Sequence, residues 1–182
     1  MTELQAEATP DAAPAPAAAP RWRPHAALIA VLLVMAGLRM WTRPIDAGGR
    51  LIAPDGAEYA VAAHRLATLG TFDIDVLGTC HPIRYPPLFS VAMLAPVYFV
   101  APGEIGNGIV VVQAFALLLI GSAYVVGQRL AGIWGAAVAA GAVIGHDLLA
   151  RFARTIMTDL PVAALLVAGL ALFLHLNREL TE

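Results

Sequence analysis

Three places in the 182-residue sequence set charged or aromatic side chains at the border of an apolar run. Asp55 opens the stretch Asp55 to Leu69; Arg84-Tyr85-Pro86-Pro87-Leu88 leads into a second apolar segment; Thr158-Asp159-Leu160-Pro161 leads into a third. A carboxylate at a partly desolvated border can have its pKa raised to where it takes a proton from a nucleophile. Each place also has a plain structural explanation. Asp55 can be a helix N-cap, and Asp159 a cap or first-turn acid with Pro161 near the start of its helix. Pro86-Pro87 alone makes a rigid extended lead-in to the segment after it. Local sequence leaves both readings open.

The elements that must position these residues are set by composition. Hydrophobic residues make up 59% of the chain and charged ones 13%, against about 25% charged in soluble domains. Mean hydropathy is +0.75. A soluble fold of this size has too little interior to hide so much apolar surface, whereas a bilayer acts as solvent for it. A net charge of −2 leaves no basic footprint for nucleic acid. The single cysteine, Cys80, excludes an internal disulfide framework. The expected fold is therefore all-α: a polytopic helical membrane protein of about four spans, plus an external loop carrying an interfacial amphipathic helix.

Residues 1–20 form an Ala/Pro-rich tail with four prolines and no basic residue, and are expected to be disordered. Residues 21–182 form the transmembrane region. Its first apolar run, Ala26 to Leu38, is read as a retained anchor because no small-x-small cleavage site follows it. Trp22 and Trp41 lie about 28 Å apart along a helix, which suits aromatic belts on a core of roughly 30 Å. Arg39 is expected to snorkel outward at the far end. Arg21 and Arg23 place the N-terminus in the cytoplasm.

In the polar stretch from Arg43 to Arg84, Tyr59, Ala62, Ala63, Leu66 and Leu69 recur at three- and four-residue spacings and predict one apolar helix face. Asp55 and Glu58 have capping-box spacing, and Gly70 suits the C-terminal cap. A helix lying in the membrane interface fits this pattern.

Four apolar segments follow: Leu88–Ala101, Gly108–Gly127, Ile133–Ala150 and Leu160–Leu176. The last three are long enough to span; the first, interrupted by Pro96, is expected to be re-entrant or interfacial. Gly141 and Gly145 form a GxxxG pattern that permits close helix packing. Arg129 and Arg178 mark cytoplasmic ends, so Asp55 and Asp159 share the outer side; Arg151 and Arg154 count against this scheme.

The order Asp-Gly-x-x-Tyr-x-x-x-Ala-x-x-Leu-x-x-x-Gly-x-Phe, then Tyr-Pro-Pro-Leu, then Met-Thr-Asp-x-Pro before an apolar span resembles the N-terminal part of C-type (GT-C) membrane glycosyltransferases. The likeness is to the branch of protein O-mannosyltransferases and lipid A aminoarabinose transferases. It is carried by Asp55, Gly56, Tyr59, Ala63, Leu66, Gly70 and Phe72, by Tyr85 to Leu88, and by Met157, Thr158, Asp159 and Pro161. It covers roughly residues 25–176, through the order and spacing of the motifs.

The resemblance implies transfer of a sugar from a polyprenyl-phosphate carrier to an acceptor at the outer face of the plasma (inner) membrane. It implies that Asp55 is the catalytic acidic residue of the first external loop, taking the acceptor's proton, and Asp159 the second acidic position, orienting the acceptor or holding a divalent ion. A carboxylate pair without His or Cys favours Mg²⁺ or Mn²⁺ over Zn²⁺. A lipid phosphate leaving group needs cationic stabilisation. Arg84 is the nearest candidate, with Tyr59 and Tyr85 as further substrate-binding residues. His64 and His81 are weaker candidates, and His146 with Asp147 is a conceivable pair at a helix end. Relatives of this kind run to several hundred residues, so the chain is expected to act only within a longer protein.

The competing reading is a non-enzymatic transporter subunit or assembly protein whose acids are caps or pathway residues. Transporters place charges inside the bilayer at broken helices, whereas here only Gln113 is expected mid-span. A third reading, a bland helical scaffold, leaves the long Arg43–Arg84 stretch unexplained.

Overall fold

A computed structural model describes residues 23–42 and 54–179. The expectations placed on residues 1–20, on Arg21 and Trp22, on residues 43–53, and on the side chains of Arg23, Trp41 and Arg178 lie outside the described residues. The chain is mostly helical. Helix α1 runs Arg23–Thr42, about 30 Å at 1.5 Å per residue, with Pro24 in its first turn, where a missing N–H costs nothing.

Helix α2, Pro54–Leu69, starts one residue earlier than the capping-box spacing suggests. Pro54, with φ already fixed near the helical value, takes the first helical position. Asp55 is thus a first-turn acid, not an N-cap, and Glu58 points its carboxylate elsewhere. Gly70 ends the helix as expected: its φ of +73° is the left-handed conformation, and its N–H donates to the Leu66 carbonyl at 3.2 Å. The predicted apolar face is used through Tyr59, Ala62 and Ala63, which are buried, while Leu69 stays exposed.

A small antiparallel hairpin departs from the all-α expectation. Strands β1 (Ile74–Val76) and β2 (Thr79–His81) pair with Asp75 opposite Cys80. Leu77 and Gly78 both have positive φ, and the Gly78 N–H bonds the Asp75 carboxylate at 2.8 Å, the pattern of a tight primed turn.

The segment after Pro87 is helical but short. One turn of π-helix (Phe89–Leu94) passes into α3 (Ala95–Val100), giving about 18 Å of helix, too little to cross a core of roughly 30 Å. Leu94, Ala95 and Tyr98 are buried in the core shared with α2. A 3₁₀ turn (Ile105–Gly108) then leads into α4 (Ile109–Gly145).

Two stretches, Ile105–Gly145 and Asp159–Asn177, are long and apolar enough to cross a membrane. The first is not one straight rod. Ala131 (φ −145°, ψ 28°) and Gly132 (φ 63°, ψ −152°) break α4 into arms 109–130 and 133–145. A Cβ built on Gly127 would lie 2.2 Å from the Gly135 carbonyl oxygen. Residues eight apart on a straight helix are separated by about 12 Å, so this contact requires the chain to reverse. The reversal falls in the Gln128-to-Gly132 loop expected from sequence.

Three expectations about this region change. The close approach belongs to Gly127 and Gly135; at Gly141 and Gly145 an added Cβ meets nothing within 4 Å. The second arm stops at Gly145, about 20 Å long, because His146 turns extended and starts α5 (Asp147–Phe152), so Ile133–Ala150 is not one continuous span. Gln113 lies one turn inside α4, not at mid-span.

Helix α6 (Asp159–Glu179) closes the fold. The Val162 N–H bonds the Thr158 carbonyl at 3.0 Å, so Asp159 is a first-turn acid there. Side-chain ties sort the helix ends into two groups. At one end, which also bears α2 and the hairpin, Arg39 pairs with Asp147 and the Gly145 carbonyl, and Arg154 donates to the Met40 carbonyl. Arg154 therefore serves the C-terminus of α1. At the opposite end, His25 meets the Tyr124 hydroxyl at 2.6 Å and Arg129 meets His175 at 2.5 Å. Between the ends the interior is built largely of alanines, with Ala116, Ala136, Ala140 and Ala164 fully buried, while Val34, Trp134, Val138, Leu166 and Phe173 are exposed.

Candidate functional site

The site is built on the first two turns of α2 and the segment 84–89. Glu58 and Tyr59 face inward, and the Glu58 side chain is only 4% exposed. Burying a carboxylate is costly unless each oxygen is satisfied. Arg84 supplies the satisfaction. Its backbone N–H donates to Glu58 Oε1 at 2.6 Å, and its Nε and Nη2 donate to Oε2 at 2.9 and 2.6 Å. The Arg84 hydrogen bonds hold the Glu58 carboxyl below its ordinary range, against the opposing effect of burial. The same pair raises Arg84 still further above its usual value.

Arg84 remains 72% exposed even though Glu58 grips it from below. Its guanidinium carbon stands 5.5 Å from the centre of the Tyr85 ring. That ring leans on Tyr59 at 5.0 Å between centroids, and Tyr59 meets Phe89 edge-on at 5.5 Å. Pro86 and Pro87 restrict the backbone around Tyr85, and the Val91 N–H bonds the Pro87 carbonyl at 2.8 Å to start the next helix. The neighbouring Asp55 carboxylate, and after it burial, raises the Tyr85 phenol above its ordinary value. Asp55 itself is exposed.

Four of the five residues singled out from sequence, Asp55, Tyr59, Arg84 and Tyr85, therefore form one cluster. Asp159 does not join it through any contact among the described residues. It lies at the head of α6, against an apolar cavity between α4, α5 and α6. The residue that sequence reasoning missed is Glu58, read only as the far half of a capping box. A signal was present: Glu58 lies four residues before Ala62, on the apolar face, where an unpaired acid would not be tolerated.

The weaker candidates fall outside the cluster. His64 bonds the Pro102 carbonyl at 2.7 Å, and His81 is exposed on the hairpin. His146 and Asp147 do not act as a pair: the His146 ring caps α5 and Asp147 holds Arg39. Among the described residues no three His, Cys, Asp or Glu side chains gather as a metal would require. Glu58, the acid nearest in sequence to Asp55, is committed to Arg84. Among the described residues, the cluster does not fit a bound divalent ion.

Comparison with known protein families, curated proteins and solved structures finds no match to this chain.

Proposed function

We propose that the chain is the membrane-embedded part of an enzyme that moves a sugar from a polyprenyl-phosphate carrier to an acceptor at the outer membrane face. In this reading α1, the arms of α4, and α6 lie in lipid, which solvates their exposed apolar side chains. The end bearing α2 and the hairpin faces outward. The observation that carries the proposal is the gathering of Asp55, Tyr59 and Tyr85, which the motif order marks, with Arg84, the cation next to Tyr85 in sequence, around one buried carboxylate.

Asp55 takes the proton of the acceptor hydroxyl as its oxygen attacks the anomeric carbon. The bond from that carbon to the phosphate oxygen breaks, and the phosphate leaves with the electron pair. Arg84, fixed by Glu58 and open to solvent, meets the negative charge that develops. Protonation neutralises Asp55 as the leaving phosphate gains charge, so the local field improves for the product as the reaction proceeds. Tyr85 lies beside the Asp55 carboxylate and stacks between Tyr59 and Arg84.

The test is Asp55→Asn in the protein expressed from its own reading frame. Asparagine keeps the size but loses the proton acceptor, so transfer from a polyprenyl-phosphate donor should fall on the order of 10²- to 10⁴-fold with insertion intact. Tyr85→Phe keeps the ring and loses the O–H; kcat should drop roughly tenfold with KM for the donor unchanged. Wild-type transfer by Asp55→Asn would return the cluster to a structural role and favour a transporter subunit or assembly protein.

A further inference from the structure

A guanidinium carries its N–H donors in a planar fork, and at Arg84 one edge of that fork is taken while the other is free. Nε and Nη2 both donate to Glu58 Oε2, at 2.9 and 2.6 Å, which uses the side edge. The end edge, formed by Nη1 and the second N–H of Nη2, meets no acceptor among the described residues. The side chain is mostly exposed, and Glu58 beneath it and the Tyr85 ring beside it set the plane of the fork. A free end edge accepts two oxygens of one phosphate side by side.

Charge decides which phosphate. The charged and titratable groups that face the Arg84 guanidinium are Glu58 and Asp55 from α2 and Tyr85 beside it in the chain; no second cation is among them. The first negative charge of an anion is met by the two parallel hydrogen bonds of the end edge. A second charge gains no further donor. It is drawn to Arg84 but repelled by both Glu58 and Asp55, so two negative charges stand against one positive.

We propose that the Arg84 site selects a lipid-borne phosphate diester, which carries one negative charge, over the corresponding monoester, which carries two, and that Asp55 sets this selectivity. The inference rests on the sugar-transfer reading above and assigns that reaction an order of ligand exchange. A sugar joined to a lipid phosphate is a diester. Transfer breaks the bond from the anomeric carbon to the phosphate oxygen and leaves a monoester with one more charge, while Asp55 takes the acceptor's proton and becomes neutral. When Asp55 returns that proton to solvent, its charge is restored beside the dianion, and the spent carrier is expelled.

The test uses the whole chain in dodecyl maltoside, a detergent without phosphate, at pH 8, above the second phosphate pKa of about 6. Titration calorimetry with hexadecyl methyl phosphate and with hexadecyl phosphate compares one charge with two on the same hydrocarbon chain. The diester should bind roughly tenfold tighter, and Asp55→Asn should bring the two affinities within about twofold. Dimethyl phosphate should not displace the hexadecyl diester; equal competition would make the ligand a free phosphate diester and overturn the lipid. The double variant Glu58→Gln with Arg84→Gln, which leaves no buried charge unpaired, should lose both ligands. If it kept them, Arg84 would not be the phosphate-binding group, and the sugar-transfer reading would fall together with this inference. Equal affinities in wild type, or a preference that Asp55→Asn leaves unchanged, would overturn the selectivity alone. Should the double variant not fold, the wild-type preference and Asp55→Asn, at an exposed position, decide.

Discussion

Replacing Gly127 with alanine puts a methyl group where the two arms of α4 touch. The added Cβ would stand 2.2 Å from the Gly135 carbonyl oxygen, 2.6 Å from its carbon and 2.8 Å from the Ala139 Cβ. A carbon and an oxygen in close nonbonded contact sit at about 3.3 Å, so the arms must part by roughly 1 Å. The obstacle is backbone, which cannot swing aside as a flexible side chain would. Overpacking of this kind costs about 1–3 kcal/mol, and the rigid neighbour places Gly127→Ala toward the upper end. Alanine's better helix propensity returns less than about 1 kcal/mol. For a chain of this length each kcal/mol moves Tm by about 2–4 °C, so the net fall should be about 4–8 °C.

Gly141→Ala supplies the control, because a Cβ there meets nothing within 4 Å. Propensity alone then acts, and stability should hold or rise by up to about 1 kcal/mol. Both variants can be followed by circular dichroism and by size-exclusion recovery after heating in detergent. If Gly141→Ala destabilised as much as Gly127→Ala, the arms would pack through the GxxxG face and the reversal at Gly132 would be wrong.

Two further outcomes follow from the cluster and the bundle. Glu58 titrates below its ordinary range in the folded chain, so its contribution to stability is complete above about pH 4.3 and is lost as pH falls through the folded value; wild type should lose more Tm than Glu58→Gln over that acid window, and parallel losses would remove Glu58 as the cause. In a Cys80→Ser background, Asp55→Cys and Asp159→Cys should react with an impermeant maleimide from one side of the membrane and Arg129→Cys from the other, whereas labelling of the two acid positions from opposite sides would refute their placement at one end of the bundle.

Local signals were legible where one residue type has one physical use. Gly70 takes positive φ because a side chain there would be strained, and the same argument marks Gly132 as the hinge between the arms. The apolar spacing of α2 and the shortness of Leu88–Ala101 could likewise be read directly. What could not be read was which of several chemically equal options the tertiary fold would choose. Gly127, Gly135, Gly141 and Gly145 all allow close packing, and only the position of the reversal selects the first two. Glu58 could cap a helix or be buried under an arginine 26 positions along the chain; the second choice depends on a long-range contact that helix periodicity does not encode.

That choice bears on what the cluster is for. A buried charge that loses its partner is strongly destabilising, so Glu58 depends on Arg84, whereas a solvated arginine has no such need of Glu58. Here the acid is buried and the base is not: Glu58 is 4% exposed and Arg84 72%. Glu58 is satisfied by three hydrogen bonds from Arg84, while that guanidinium faces outward beside an exposed Asp55. The tyrosines below order this surface without covering it, since Tyr59 is buried and Tyr85 stacks between it and Arg84. Charges held from beneath and presented to solvent are preorganised for a ligand, because the cost of orienting them is met during folding and is not charged against binding. A capping role for Asp55 needs none of this support, and Pro54, by opening the helix one residue earlier, has already taken that role away.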